Sequence, residues 1–255
     1  MKKHTVSAYI ITKNEEDNIA RAIESVRWMD EVIVLDSISA DSTVEKAEKL
    51  GAKVTVSEFK GFVEQKNAAM ELCSGDWVFN LDADEEVTPE LKKSIREVVY
   101  NDHSTDLPDV YNVNRKTWYL GRWIKHCGWY PEYRGRLSIR GKARWTGEVL
   151  HETLKGSGSE GYLSGDFLHR PYANLGDHLN TICNYSELWS EREARTGRKS
   201  SLLDIIFRPP AKFLKMYVLR AGFLDSGQGI IASAMGAWYT FMKYARLYEL
   251  SRISE

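Results

Sequence analysis

The sequence predicts an α/β protein: a mainly parallel sheet with helices on both faces, followed by a helical C-terminal region. Three observations carry this. Apolar runs of strand length at Val6–Ile11, Glu31–Asp36, Lys53–Ser57 and Trp77–Asp82 are separated by stretches of helical periodicity. Strands alternating with helices at this spacing imply βαβ units and parallel pairing through crossover helices. From Leu175 onward the pattern is helical to the end.

Each element has a local reason. After the first strand, Thr12-Lys13-Asn14-Glu15-Glu16-Asp17 turns into a helix with Ile19, Ala22, Ile23 and Val26 on one face, and acids in its first turn suit the helix dipole. The second strand ends in Asp36. Ser39–Thr43 then caps a helix that runs to Leu50 and stops at Gly51. A helix over Phe62–Leu72 follows the third strand, and Thr88-Pro89-Glu90 starts another after the fourth. Beyond Glu97, short strand-like runs at Tyr111–Arg115, Arg134–Ile139, Gly147–Leu154 and Tyr162–Leu168 predict a smaller mixed region beside the parallel sheet. In the helical part, Ile182, Tyr185, Leu188 and Trp189 form one apolar stripe, Pro209-Pro210 starts a further helix, and Ile230–Leu250 is a third. The expected division is residues 1–170 as a catalytic domain and 171–255 as a helical region that contacts a membrane surface or another copy.

Composition narrows the class. With 255 residues, 43% hydrophobic and 28% charged, the chain is ordinary globular material. A formal charge of −1 gives no whole-protein argument for nucleic acid, and none is expected as a partner. Charge is uneven, however: Tyr111–Arg144 holds nine Lys/Arg against the single acid Glu132, and Arg195–Arg220 holds seven against Asp204. Cys73, Cys127 and Cys183 form no C-x-x-C pair, which favours a reducing compartment over a disulfide framework. The apolar run after Met1-Lys2-Lys3 is too short for a signal peptide, so a cytoplasmic protein is expected.

The chemistry concentrates where the fourth strand ends in Asp82-Ala83-Asp84-Glu85-Glu86. Residues two apart share a face of an extended chain, so Asp82 and Asp84 are expected to aim at one spot. Hard oxygen ligands suit Mg²⁺ or Mn²⁺ together with substrate phosphates. The carboxyl ends of strands are also where open α/β sheets bind ligands. A solvated acidic loop is the plain alternative.

Four ordered motifs, Ile10–Glu16, Asp36–Thr43, Gln65-Lys66-Asn67-Ala68-Ala69 and Asp82-Ala83-Asp84, resemble the nucleotide-sugar-binding half of family 2 glycosyltransferases, which have the GT-A (Rossmann-like) fold. Ile38, Ala40 and Ser42 stand where that family often has other small residues, Thr and Gly. The second half, through Leu120–Ile124, Gly128–Pro131, Arg134–Ser138, His151-Glu152, Gly222–Asp225 and Tyr239–Tyr244, looks like the branch that builds lipopolysaccharide inner core, in particular its β-1,4-glucosyltransferases.

The resemblance implies an inverting, metal-dependent transfer of a sugar, glucose by preference, from a nucleotide diphosphate sugar such as a UDP-sugar to a lipid-linked saccharide. It places Thr12, Glu15, Asp36, Lys66, Asn67 and Asp82 around the donor, with Asp84, Asp82 and His151 around a divalent cation, Mg²⁺ or Mn²⁺. His169 is a second imidazole option. Glu148 and Glu152 share strand parity as candidates for the base, and the resemblance favours Glu152. Trp123, Trp129, Tyr130 and Arg134 lie in the aromatic and basic stretch expected to meet an anionic acceptor. Between Pro209 and Arg220, Lys212, Lys215 and Arg220 are expected to approach the inner face of a membrane while Phe213, Met216 and Tyr217 dip into it. A helical packing layer or an oligomer interface is the alternative there. Other classes fit less well: a nucleotidyltransferase lacks its Gly-rich phosphate loop, and a glycan-binding module leaves the acidic strand ends unexplained.

Overall fold

The computed structural model of the chain describes residues 4–100, 107–147 and 152–253. The elements are β1 (Val6–Thr12), α1 (Ile19–Val26), β2 (Glu31–Asp36), α2 (Thr43–Lys49), β3 (Lys53–Val56), α3 (Phe62–Glu71), β4 (Trp77–Asn80), β5 (Glu85–Val87) and α4 (Pro89–Tyr100). They continue with β6 (Val110–Tyr119), β7 (Arg122–Trp123), β8 (Tyr133–Ile139), β9 (Ala143–Thr146), β10 (Thr153–Gly156), β11 (Glu160–His169), α5 (Leu175–Arg195), α6 (Leu202–Leu214) and α7 (Ser226–Ile253). Two compact units share the chain. One is Met1–Arg115 with Glu132–His169, the other Lys116–Pro131 with Arg170–Glu255.

In the first unit the strand order is β3-β2-β1-β4-β8-β6-β11-β5. The four N-terminal strands pair in parallel. Most strands of residues 110–169 do not form the separate region that the sequence suggested. β6, β8 and β11 extend the same sheet, β8 running antiparallel on β4 and β6 antiparallel on β8, and only β9 and β10 stand apart from it. The physical reason is the edge: β4 would otherwise present unpaired N–H and C=O groups. The run expected over Gly147–Leu154 lies partly outside the described residues; of it, Thr153 and Leu154 belong to β10, which pairs antiparallel with β9.

Local expectations hold where one element decides them. The buried residues of α1 are Ile19, Ala22, Ile23 and Val26, the predicted apolar face. The preceding acids are not in its first turn. Glu15 instead closes the turn before the helix, its carbonyl accepting from the amides of Asn18 and Ile19.

One carboxylate secures the base of the sheet. Glu31 on β2 accepts from Ser7 Oγ at 2.6 Å, Ser74 N at 2.8 Å and Lys53 Nζ at 2.8 Å. Burial works against its charge, but these donors pull its carboxyl down to about 2. A depressed carboxylate stabilises the fold above its unfolded pKa near 4, and that contribution is lost as pH falls toward 2. Glu31→Gln is therefore expected to cost about 2 kcal/mol at pH 7 and far less at pH 2. Thermal melts at both pH values check this; an equal loss at both would remove the charge from the explanation.

In the second unit, α6 does not start at Pro209-Pro210. A capping box between Ser201 and Asp204 sets its start at Leu202, and both prolines fall inside the helix. A π-helical turn, Lys215–Leu219, and a short 3₁₀ turn, Gly222–Asp225, lead into α7. The α5 stripe is also different. Ile182 and Trp189 are buried, but Tyr185 and Leu188 are exposed and Ser186 and Ser190 share the buried face. Fully buried Asp225 accepts from the amides of Lys125 and His126, which holds the loop after β7. Among the described residues, no helix is long and apolar enough to cross a membrane.

Candidate active site

The site forms at the carboxyl end of β4, and its backbone is a turn rather than an extended strand. β4 ends at Asn80, and the Glu85 amide donates to the Asp82 carbonyl at 3.0 Å. The Asp82 amide donates to Glu85 Oε2, also at 3.0 Å. Alternation along a strand therefore does not set the two aspartates. The turn gives each its own partners.

Asp82 faces two cations. Lys66 Nζ lies 3.1 Å from its Oδ1, and both terminal nitrogens of Arg136 lie 3.3 Å from its Oδ2. Burial opposes ionisation of Asp82, yet Lys66 and Arg136 overcome it and hold the carboxyl far below the usual range. Arg136 also donates to Asn80 Oδ1 and, at 2.5 Å, to Glu85 Oε1, while its guanidinium sits 4.5 Å from the Phe167 ring centre. Burial pushes the Glu85 carboxyl up, with Arg136 opposing.

Asp84 faces an imidazole. His169 Nε2 lies 3.1 Å from Asp84 Oδ2. Burial again opposes the charge, and His169 overcomes it, so the Asp84 carboxyl is lowered. The sheet makes this meeting possible: β11 pairs antiparallel with β5 in a register that sets His169 opposite Glu85. Asp84, Glu85 and His169 each offer a ligand atom, all within 4.8 Å of one another. Glu85 is already committed, one oxygen to Arg136 and the other to the Asp82 amide. The donor set left to a cation is one carboxylate and one imidazole, with His169 Nδ1 buried and without a hydrogen-bond partner among the described residues. Such a set fits Mn²⁺ or Mg²⁺ that takes its remaining ligands from phosphate and water.

The buried face of α3 supplies the next layer. Gln65, Lys66 and Asn67 are all buried, an unusual triplet for a helix against a sheet. Lys66 is no surface lysine. It is 4% exposed, lies 4.6 Å from the Trp145 ring centre, and reaches both Asp82 and, at 3.6 Å, Glu152 Oε1. Asn67 is occupied structurally, its side chain bonding both ways to the backbone of Trp145 at 2.9 and 3.0 Å. The Trp145 indole N–H in turn donates to Tyr9 Oη at 2.7 Å.

The first two strand ends make an adjoining loop pair. Thr12 and Asp36 are register partners. Asp36 is fully buried and accepts from both the amide and the hydroxyl of Ser39, at 2.8 and 2.5 Å. Ser39 Oγ accepts from the Asn14 amide at 2.8 Å, which ties the two loops together. Ile38 takes φ 58 in this turn, a conformation that costs a β-branched residue energy and that the Asp36–Ser39 bonds maintain. The side-chain oxygen of Thr12 is buried without a partner among the described residues. Burial raises the Glu15 carboxyl, against the Asn18 amide; the Asp84 and Asp41 charges add to the rise, so Glu15 shares the electrostatic field of the site.

Glu148 and His151 lie outside the described residues. The expected acceptor group is divided. Arg134 belongs to the first unit, paired with Glu132 at 2.5 Å, whereas Trp123, Trp129 and Tyr130 belong to the second. There Arg170 lies 5.0 Å from the ring centres of both Trp118 and Trp123, and Trp129 packs on Tyr119 at 5.2 Å. Arg136 and Glu85 were not singled out from the sequence. The signal available for the first was an arginine two residues after Arg134, set between Gly135 and Leu137 in a strand-like run.

Comparison with known proteins identifies the family. The profile of glycosyl transferase family 2 matches residues 7–155. A glycosyltransferase of Rickettsia typhi, itself uncharacterized, is 32% identical over 98% of this chain and 88% of its own. The lipopolysaccharide core biosynthesis glycosyltransferase LpsC of Rhizobium meliloti is 29% identical over 97% of this chain and 93% of its own. Among solved structures, glucosyl-3-phosphoglycerate synthase from Mycobacterium tuberculosis, in complex with Mn²⁺, UDP and phosphoglyceric acid, superposes with a TM-score of 0.38 at 24% identity, covering 44% of this chain and 43% of that one. The profile match across more than half of the chain and the full-length relatives lead to one conclusion: the chain belongs to glycosyl transferase family 2.

Proposed function

We propose that the chain transfers a sugar, glucose by preference, with inversion, from a nucleotide diphosphate sugar to a lipopolysaccharide core or a related lipid-linked saccharide. The observation that carries the reading is the pairing of Asp84 with His169 beside a charge-compensated Asp82. Asp84 and His169 would hold a divalent cation, Mg²⁺ or Mn²⁺, which when bound neutralises charge on the departing diphosphate. Asp82 is anchored by Lys66 and Arg136, so it suits a hydrogen-bonding role toward the donor ribose. Thr12, Glu15 and Asp36 shape the loops that meet the nucleotide.

Glu152 is the proposed base. The acceptor hydroxyl gives its proton to the Glu152 carboxylate, its oxygen bonds to the anomeric carbon, and the bond from that carbon to the diphosphate oxygen breaks. Lys66 links Glu152 to the donor side, since its ammonium lies between Glu152 and Asp82. The relative named for lipopolysaccharide core biosynthesis supports the acceptor class. An acceptor carried in a membrane implies peripheral attachment at the cytoplasmic face.

Sugar release from UDP-glucose with Mn²⁺ present, and its loss on chelation, tests the reaction. Asp84→Asn should lower turnover about 10²-fold, because it removes charge where transition-state charge must be stabilised. The variant should fold, and it should also lose Mn²⁺-dependent stabilisation by UDP in a thermal shift. Wild-type turnover by Asp84→Asn at saturating Mn²⁺ would exclude Asp84 as a ligand.

A further inference from the structure

The helix α6 is amphipathic in the wrong sense for a protein interior. Leu202, Leu203, Ile206, Phe207 and Leu214 are 57, 65, 58, 63 and 56% exposed, and the helix has no buried residue. At helical spacing these five fall within an arc of about 140°. The opposite side carries Asp204, Arg208 and Lys212, and that charged side is the one packed along α7. Arg208, paired with Asp204 at 2.5 Å, lies 4.7 Å from the Tyr244 ring centre, and the Lys212 stem passes beside Gly236. An ordinary surface helix turns its apolar stripe to the core. Here the polar stripe faces the protein and the apolar one faces out. The crest continues past the helix through Leu219, 79% exposed, and Phe223, 51% exposed.

We infer that this apolar crest is the surface by which the chain lies on an anionic lipid bilayer. The inference rests on the membrane-borne acceptor proposed above and names the face that reaches it. Charge selects the occupant. Lys215 and Arg220 are exposed in the stretch that follows α6, beside Leu219, and the single acid of Arg195–Arg220, Asp204, is consumed by the capping box and Arg208. A two-fold dimer through this patch would set the patch against itself and bring those cations together. Anionic headgroups accept them instead, while the aliphatic and aromatic side chains enter the interface. The inserting residues differ from those the sequence suggested. Met216 is 4% exposed and belongs to the core with Tyr119, Ile124 and Cys127, and Phe213 and Tyr217 stack on each other at 5.4 Å.

The test is sedimentation with phosphatidylglycerol/phosphatidylethanolamine vesicles at low and high salt. Leu203→Glu/Phe207→Glu should weaken binding at least tenfold at both salts. Lys215→Gln/Arg220→Gln should weaken it about thirtyfold at low salt, with a difference that shrinks as salt rises. Both variants should keep the wild-type circular dichroism, since every replaced side chain is exposed. Equal vesicle binding by wild type and Leu203→Glu/Phe207→Glu overturns the inference. So does a lipid-free dimer, seen by light scattering, that this variant dissociates while wild type ignores vesicles. Crest-dependent vesicle binding without any stabilisation by UDP and Mn²⁺ would support the inference while counting against the transferase reading.

Discussion

Glu152→Gln is expected to lower turnover about 10³-fold while donor binding stays at the wild-type level. Glutamine keeps the shape of the side chain and loses the charge and basicity that the proposed base needs to take the acceptor's proton. Glu152 is one-fifth exposed at its side chain and 3.6 Å from Lys66, within reach of both solvent and the Asp82 cluster. The donor side survives the change, because Lys66 keeps its contact with Asp82 at 3.1 Å. The measurement is UDP release at saturating donor and acceptor, beside the thermal shift produced by UDP and Mn²⁺. Glu148→Gln is the paired variant, since both glutamates are candidates in the sequence. If Glu148→Gln is inactive and Glu152→Gln turns over, the two roles exchange.

Arg136→Met should destabilise the first unit by about 3–5 kcal/mol, the cost of removing one partner from a buried ion cluster. Arg136 is 3% exposed and serves Asn80, Asp82 and Glu85 together. Without it, Glu85 is a fully buried carboxylate that has lost its ion-pair partner, and Asp82 keeps Lys66. For a unit of this size the loss corresponds to a fall in Tm of roughly 10 °C. Glu85→Gln in the same chain should restore a large part of that, since it removes the stranded charge. Arg136→Lys should fall between, because a point charge cannot bridge three acceptors as a planar fork does. Melting of Arg136→Met within 2 °C of wild type would show that the cluster is solvated and that the buried-charge account is mistaken.

Much of the site was legible because local rules wrote it. Asp82 and Asp84 stand at the end of a strand that its apolar run announces, and Asp36 ends the strand before Ser39 in the same way. Lys66 was visible only as part of Gln65-Lys66-Asn67, and nothing local distinguishes it from a surface lysine. Its burial follows from α3 lying against the sheet with Trp145 beside its ammonium. The pairing of Asp82 with Asp84 across one face was a misreading with a clear source. The chain turns between Asp82 and Glu85, and side-chain alternation ends where the extended backbone ends.

Four ordered motifs carried the family resemblance, and by itself the sequence determined the βαβ order, the apolar face of α1 and the place of the acidic turn. These depend on periodicity and on neighbours a few residues apart. The tertiary structure alone decided that His169 meets Asp84, since that rests on the antiparallel register of β11 on β5, between strands far apart in the chain. It decided that Arg136 neutralises Asp82 and Glu85, through β8 completing the edge of β4. It also decided which way α6 faces. Periodicity gives a helix two sides, but only packing on α7 shows that the charged side is the inner one and leaves the apolar side exposed.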